Sequence, residues 1–246
     1  MANPETSAPV VITGGAQRLG LAAALALHEQ GHPVVITYRR ERPLLEKLRA
    51  EGIETIRADF SEADGTAGLA RELKRRYRSL RALIHNASEW LPEGEGREPA
   101  ELLQRMLQVH VQAPYLLNLE CGELLQRHGE EHGPADIIHM SDYVAGTGSG
   151  KHIAYAASKA ALENLTLSFA SRYAPTVKVN SIAPALLMFN PEDDAEYRAR
   201  ASKKSLLGIV PGEAEGVNAI CYLLQSRYLT GKSIALDGGR HLARAG

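Results

Sequence analysis

The stretch VVITGGAQRLG, residues 10–20, decides the fold of this 246-residue chain. Val10–Thr13 is a short apolar run of the kind that forms a buried strand, and a long helical pattern starts at Leu19. Glycines between them let a ligand approach the backbone, and N–H groups at a helix start attract phosphate. We therefore expect a pyrophosphate-binding turn, with a glycine turn that binds nothing as the alternative. Its spacing, T-G-x-x-x-R-x-G, is not the ordinary G-x-G-x-x-G.

Short apolar runs alternate with helical patterns along the rest of the chain. The runs expected to form strands are Pro9–Thr13, Pro33–Tyr38, Ile53–Arg57, Ala82–Asn86, Asp136–Ser141, Thr176–Ile182 and Ser233–Leu236. The segments expected to form helices are Leu19–Gln30, Arg42–Glu51, Thr66–Tyr77, Pro99–Leu125, Ile153–Tyr173 and Glu213–Leu224. This alternation predicts a single-domain, Rossmann-like α/β fold over residues 1–246, a doubly wound parallel sheet of about seven strands with helices on both faces.

The composition narrows the class of partner. A formal net charge of −1 provides no field to attract nucleic acid or a membrane surface, so the expected partner is a small molecule. Cys121 and Cys221 form no C-x-x-C motif, which predicts ordinary thiols and no metal site. The first residues lack a basic segment followed by an apolar run, and no later stretch is long enough to span a membrane. We expect a cytoplasmic protein.

Two polar stretches interrupt the alternation, each following a strand. Glu89–Glu98 is rich in Gly, Pro and Glu, and Leu186–Gly208 is charged. Ligands of open α/β sheets bind beyond the carboxyl ends of the strands. We therefore expect a substrate rim over residues 87–98 and a substrate lid over residues 186–208.

The second predicted strand ends in Tyr38-Arg39-Arg40, where a site for NAD would carry an acid. Arginines there would pair with a 2′-phosphate, which favours NADPH; the alternative is that they are solvated at a strand end. Asp59 could accept a hydrogen bond from the adenine amino group, and Asn86-Ala87 ends the fourth strand where a ribose should pass.

Tyr155 and Lys159 lie four residues apart in a helical pattern, so their side chains share one face. A tyrosine has a pKa of about 10, and a nearby fixed cation favours its phenolate and lowers that value. The pair predicts acid chemistry, with a solvated surface pair as the alternative.

Over essentially its whole length the chain resembles the short-chain dehydrogenase/reductase family. The motifs that carry the resemblance are Thr13–Gly20, Asp59, Asn86-Ala87, Tyr155-x-x-x-Lys159, Pro184 and Asp237-Gly238-Gly239. The resemblance implies hydride transfer from a nicotinamide, with Tyr155 as the acid and Lys159 binding the nicotinamide ribose and lowering the tyrosine pKa. It also implies a homotetramer assembled through the two long central helices. The residues expected to bind the cofactor are Gly14, Arg18, Leu19, Gly20, Tyr38, Arg39, Arg40, Asp59, Phe60, Asn86, Ala87, Tyr155, Lys159 and Pro184.

Three positions depart from the usual family pattern. Asp142 replaces a catalytic serine, Arg18 replaces a glycine, and His110 replaces an asparagine of the middle helix. With Ser88 and Trp90 after Asn86-Ala87, these departures resemble the pteridine reductase branch of the family. His110 and the sequence around residues 151–155 resemble the bacterial reductases of that branch that act on dihydromonapterin.

The chemistry of these residues suits a pterin. Trp90 is the only tryptophan and could stack on a flat bicyclic ring, or else pack the rim. An ionised Asp142 can only accept hydrogen bonds, and a pterin offers N–H donors; alternatively Asp142 caps a turn. The expected substrate-binding residues are Arg18, Ser88, Trp90, Asp142 and Tyr155, and the expected catalytic residues are Tyr155, Lys159 and Asp142. For His110, a structural role and a proton relay both remain open.

The expected reaction is NADPH-dependent reduction of a 7,8-dihydropterin, foremost 7,8-dihydromonapterin, with dihydrofolate as a slower substrate. Hydride goes to C6 and a proton to N5, and the donor of that proton is water, Tyr155 or a relay through Asp142. The alternatives are an NADPH-dependent carbonyl or 3-oxoacyl reductase and a non-catalytic NADPH-binding regulator.

Overall fold

A single parallel sheet forms the centre of the molecule. The computed structural model describes residues 8–94 and 96–243. The strands are β1 (Val10–Ile12), β2 (Val34–Tyr38), β3 (Glu54–Arg57), β4 (Ala82–His85), β5 (Ala135–Met140), β6 (Val177–Pro184) and β7 (Ser233–Leu236). They run in the order β3-β2-β1-β4-β5-β6-β7, and every neighbouring pair is parallel. This confirms the predicted fold class, and each predicted strand is present.

Helices cover both faces of the sheet. They are α1 (Arg18–Glu29), α2 (Pro43–Ala50), α3 (Ala63–Arg76), α4 (Pro99–Leu107), a π-helix (Gln108–Gln112), α5 (Ala113–Glu120), α6 (Gly122–His132), α7 (Val144–Thr147), α8 (Ile153–Tyr173), α9 (Ala195–Ser202), α10 (Glu213–Gln225) and a 3-10 turn (Arg240–Leu242). No helix of these described ranges is both long and apolar enough to cross a membrane.

The prediction of one helix over Pro99–Leu125 is wrong. The chain passes from α4 through the π-helix into α5, and α6 follows after Cys121. Pro114, in the first turn of α5, lacks the N–H that an unbroken α-helix would donate to the carbonyl of His110, so the wider π turn fits there. Helix α3 also starts three residues earlier than predicted, at Ala63, and the irregular segment Leu186–Gly208 contains α9.

Two apolar layers flank the sheet because successive side chains of a strand point to opposite faces. Val11 faces a layer that includes Leu117 and Phe169, whereas Ile12 faces a layer that includes Leu27 and Ile220, and all of these side chains are buried. The strands, whose carboxyl ends carry the candidate site, are therefore fixed by packing on both faces of the sheet. The free thiols of Cys121 and Cys221 are buried and half-buried respectively.

An ion triad lies at the amino end of the sheet, opposite the candidate site. The fully buried Asp136 of β5 contacts Arg81 at 2.6 Å and Lys178 of β6 at 2.9 Å. Burial raises the pKa of the Asp136 carboxyl, and the two cations oppose that shift. The triad joins β4, β5 and β6 at their starts.

Candidate active site

The glycine turn after β1 is built for close backbone contact. Gly14 has φ of +66°, and a Cβ at this position would lie 2.9 Å from the Cα of Ala87. Asn86 braces the turn by donating from Nδ2 to the carbonyls of Thr13 at 3.1 Å and Gly14 at 3.0 Å. This bracing role of Asn86 could not be inferred from sequence, because it depends on β1 and β4 lying side by side.

A cavity of about 370 Å³ opens beyond this turn at the carboxyl ends of the strands. The predicted cofactor residues that line it are Gly14, Arg18, Leu19, Gly20, Tyr38, Arg39, Arg40, Asp59, Phe60, Asn86 and Ala87. Ser88 and Trp90 line it as well, whereas Tyr155, Lys159 and Pro184 are not among its lining residues. A glycine cradle beside a row of arginines fits a phosphorylated dinucleotide. Arg42 and Ser61 also line the cavity and were missed; Arg42 belongs to the same basic run as Arg39.

Arg39, at the end of β2, has an acidic partner. It forms an ion pair with Glu89 of the rim, and Glu89 also accepts two hydrogen bonds from Arg105 of α4, at 2.6 and 2.9 Å. The Arg105 hydrogen bonds, more than any other contact, hold the pKa of the Glu89 carboxyl below its usual value. The sequence placed Glu89 in the rim but indicated neither its pairing with Arg39 nor the part played by Arg105, since no local pattern links these residues.

The Asp59 carboxylate accepts hydrogen bonds from within its own loop. Burial alone would raise the pKa of its carboxyl, but hydrogen bonds from the Ser61 backbone at 3.0 Å and hydroxyl at 2.7 Å lower it. Both bonds go to Oδ1, so the carboxylate lies at the cavity wall with a fixed orientation.

Asp142, Tyr155 and Lys159 meet at the carboxyl end of β5. The Tyr155 hydroxyl donates to Oδ2 of Asp142 at 2.9 Å, while Oδ1 of Asp142 accepts from the Val144 backbone at 2.9 Å. Asp142 therefore caps the turn before α7, as one of the two sequence-based alternatives expected, and also holds the tyrosine. The Lys159 ammonium lies 5.6 Å from the centre of the tyrosine ring and donates to the Met140 carbonyl at 2.7 Å.

The pKa of Tyr155 moves in the direction opposite to the expected one. Burial raises it well above the usual value, and the charge of Asp142 raises it further. The Lys159 charge does not outweigh these two effects. Burial lowers the pKa of the Lys159 ammonium itself to about 8. The prediction of a phenolate favoured by lysine is therefore corrected: at neutral pH Tyr155 is a neutral phenol that holds its proton against a carboxylate.

His110 lies in the π-helix and is fully engaged in hydrogen bonds. Its Nε2 accepts from the Glu89 backbone N–H at 3.2 Å and contacts the Ser88 hydroxyl at 2.9 Å, and its Nδ1 contacts the Ser158 hydroxyl at 2.8 Å. Since Nε2 accepts, the proton of the neutral ring is on Nδ1. Burial, with the Lys159 charge, holds the His110 pKa well below its usual value. The ring ties the rim to α8 as a neutral group, which favours the structural role.

The rim is fastened to the start of α8. Trp90 stacks on His152 with ring centres 4.1 Å apart, yet the residue remains 58% exposed. Glu93 accepts a hydrogen bond from the Ala154 backbone at 2.8 Å and so caps this helix. One face of the indole is covered by imidazole, which leaves the other available to a flat ligand.

Arg18 connects the glycine turn to the lid. Its backbone has φ of +51°, and its guanidinium donates to Oδ1 of Asn190 at 2.6 Å and to the Met188 carbonyl at 3.4 Å. The residue is exposed and lines the cavity beyond the glycine turn. Its side chain therefore lies between the cavity and the segment predicted to form the lid.

The chain is similar to known proteins over nearly its whole length. Residues 14–241 match a family model described as enoyl-(acyl carrier protein) reductase. Curated relatives include the dihydromonapterin reductases of Enterobacter sp. (strain 638), 54% identical, and Escherichia coli (strain K12), 51% identical, each alignment covering 95% of this chain and 97% of the relative.

Solved structures show the same fold. The FolM alternative dihydrofolate reductase 1 from Brucella canis, complexed with NADP, has a TM-score of 0.85 at 29% identity, with 100% of this chain and 98% of that chain covered. An apo SCOR enzyme from Clostridium thermocellum has a TM-score of 0.85 at 21% identity, covering 97% and 95% of the two chains. With these full-length matches, the chain belongs to the short-chain dehydrogenase/reductase family, in the group formed by the dihydromonapterin reductases.

Proposed function

We propose that the chain reduces a 7,8-dihydropterin, foremost 7,8-dihydromonapterin, to its tetrahydro form with NADPH. The observation that carries the proposal is the hydrogen bond from Tyr155 to Asp142. A carbonyl reductase of this fold would use a hydroxyl donor at position 142, whereas a carboxylate only accepts. Such an acceptor suits a substrate rich in N–H groups.

The cofactor proposal rests on charge at the end of β2. Arg39, Arg40 and Arg42 line the cavity there, and a 2′-phosphate would pair with them. Gly14 and Gly20 would hold the pyrophosphate, while Asp59, Phe60, Asn86 and Ala87 would border the adenosine and ribose groups. Lys159 and Pro184 would border the nicotinamide end. The Brucella relative complexed with NADP supports this choice. When bound, NADPH supplies the hydride that reduces C6 of the pterin.

Tyr155 would deliver the proton to N5. Its high pKa keeps the proton on the phenol across the neutral range, so the donor form is fully populated. Asp142 orients the phenol, and the Lys159 ammonium offsets the negative charge left on the oxygen once the proton has moved. Water then restores the proton to Tyr155.

The pterin would lie against the exposed face of Trp90, with Ser88 and Arg18 at its edges. Trp90 and Ser88 line the cavity, and Arg18 reaches the lid at Met188 and Asn190. The names of the 51–54% identical relatives favour monapterin, and those of the Brucella structures favour dihydrofolate as a second substrate. Residues of the lid over 186–208 would discriminate between the side chains at C6.

NADPH oxidation across dihydromonapterin, dihydrobiopterin, dihydrofolate, simple ketones and a 3-oxoacyl thioester tests the proposal. We expect turnover with the pterins and little with the carbonyl compounds. The matched variant is Asp142→Ser, which restores the usual hydroxyl and should lose pterin turnover by about a hundredfold or more. Faster reduction of ketones by the unaltered protein would favour a carbonyl reductase, and NADPH binding without oxidation of any substrate would favour a regulator.

We further propose that the protein is cytoplasmic and that copies associate, as tetramers, through the face formed by α4, α5 and α8. Leu103, Tyr115 and Leu167 are large apolar residues that stay 42–56% exposed on these helices. Free cysteines suit a reducing compartment. Light scattering of the purified protein tests the association, and Leu167→Glu should reduce the mass if this face is the interface.

A further inference from the structure

Glu89 lies between the two halves of the site. Its neighbours in the chain, Ser88 and Trp90, belong to the substrate rim, while its side chain reaches Arg39 beside the cofactor cavity. The strand order puts β1 between β2 and β4, so the pair formed by Arg39 and Glu89 crosses above the end of β1. A dinucleotide bound along the strand ends would pass this pair.

The two partners are held very differently. Only 14% of the Glu89 side chain is exposed, two hydrogen bonds from Arg105 fix its carboxylate, and its backbone N–H is bound to His110. The Arg39 side chain is 43% exposed. The arginine is therefore the partner that can turn away, and Glu89 keeps Arg105 when it does.

We propose that Glu89 is a built-in competitor of the cofactor's 2′-phosphate: its carboxylate occupies Arg39 until the phosphate takes that guanidinium, so Glu89 sets the affinity for phosphorylated dinucleotides. The inference rests on the proposed NADPH site. Binding of the phosphate costs the Arg39 contact and places two anions near each other, both of which weaken binding. After this exchange Arg105 is the remaining cationic partner of Glu89. The change in contacts is thereby transmitted to the neighbouring rim residues, Ser88 and Trp90.

Isothermal titration with adenosine 2′,5′-bisphosphate and with 5′-AMP tests this without turnover. Glu89→Gln should bind the bisphosphate about three- to tenfold more tightly, the scale of one partly exposed charge pair, and AMP as before. Glu51→Gln removes a carboxylate at the exposed end of α2 and controls for the change in net charge. Weaker or unchanged bisphosphate binding by Glu89→Gln, or an equal gain in Glu51→Gln, would overturn the proposal.

Arg105→Gln provides a second, opposite test. Without Arg105 the carboxylate depends on Arg39, so bisphosphate binding should weaken by a similar factor. In the Glu89→Gln background the same change should have a smaller effect, because the part of it that acts through Glu89 is then absent. An equal loss in both backgrounds would contradict the proposal. Failure to reduce pterins would refute the proposed reaction but leave these binding shifts intact, whereas equal affinity of the unaltered protein for the two nucleotides would refute the 2′-phosphate site itself.

Discussion

Buried neutral histidines should make the fold sensitive to mild acid. His85 of β4 is buried, and its Nε2 lies 2.8 Å from Oδ1 of Asn118. Asn118 continues to His139, and His139 to Thr166, in one buried hydrogen-bonded chain. Burial lowers the pKa of His85 from 6.5 to about 4.

The direction of the change in stability with pH follows from which state, folded or unfolded, binds the proton. Between pH 6.5 and about 4 the unfolded chain carries a proton on His85 and the folded chain does not, so stability falls as pH falls through this range. The full difference corresponds to about 3 kcal/mol for this one group. Between pH 7 and pH 5 it amounts to about 2 kcal/mol of the free energy of unfolding.

Urea unfolding at fixed protein concentration, at pH 7 and pH 5, measures the effect. His85→Gln should lose about 2 kcal/mol less than the unaltered protein between these two pH values, although it is less stable at pH 7. Ile84→Val, a buried neighbour on the same strand, controls for general destabilisation and should show the unaltered pH dependence. If His85→Gln and the unaltered protein lose equal stability, His85 does not titrate as described.

Three shorter predictions concern the site and the core. Tyr155→Phe should lower turnover about a hundredfold or more and leave the dissociation constant for NADPH nearly unchanged, as measured by stopped-flow kinetics and titration; unchanged turnover would mean that water supplies the proton. Trp90→Ala should weaken dihydropterin binding more than NADPH binding in fluorescence titrations, and equal losses would mean that the indole only supports the rim. Asp136→Asn should reduce the free energy of unfolding by about 3 kcal/mol, because Arg81 and Lys178 would remain close together without their anion; calorimetry showing no change in Tm would contradict the ion triad.

Local patterns predicted the sheet but not the contacts across it. The run from Val10 to Gly20 carried the fold because strand, turn and helix signals lie next to each other in sequence. The π-helix around His110 went unpredicted, since its only signal is one proline in an otherwise helical pattern. The pKa of Tyr155 is raised by burial and by Asp142. Neither effect can be predicted from the spacing of four residues between Tyr155 and Lys159.

The partners of Arg39 illustrate the same limit. The arginines after β2 predicted an anion site, which stays a prediction, and they line the cavity. Glu89 and Arg105 lie on a loop and a helix far along the chain, and only the order of the strands brings them to that place. The sequence shows that cations follow a strand, but it does not show which carboxylate pairs with them.

The attachment of the rim to α8 constrains how this enzyme can be redesigned. Trp90 rests on His152, and Glu93 holds the first turn of the helix that carries Tyr155. Replacing the rim alone would remove Trp90 and Glu93 and leave the start of α8 without these two contacts. Exchanging residues 87–98 together with residues 151–154 keeps these two attachments, so we expect the paired exchange to disturb the start of α8 less than exchange of the rim alone.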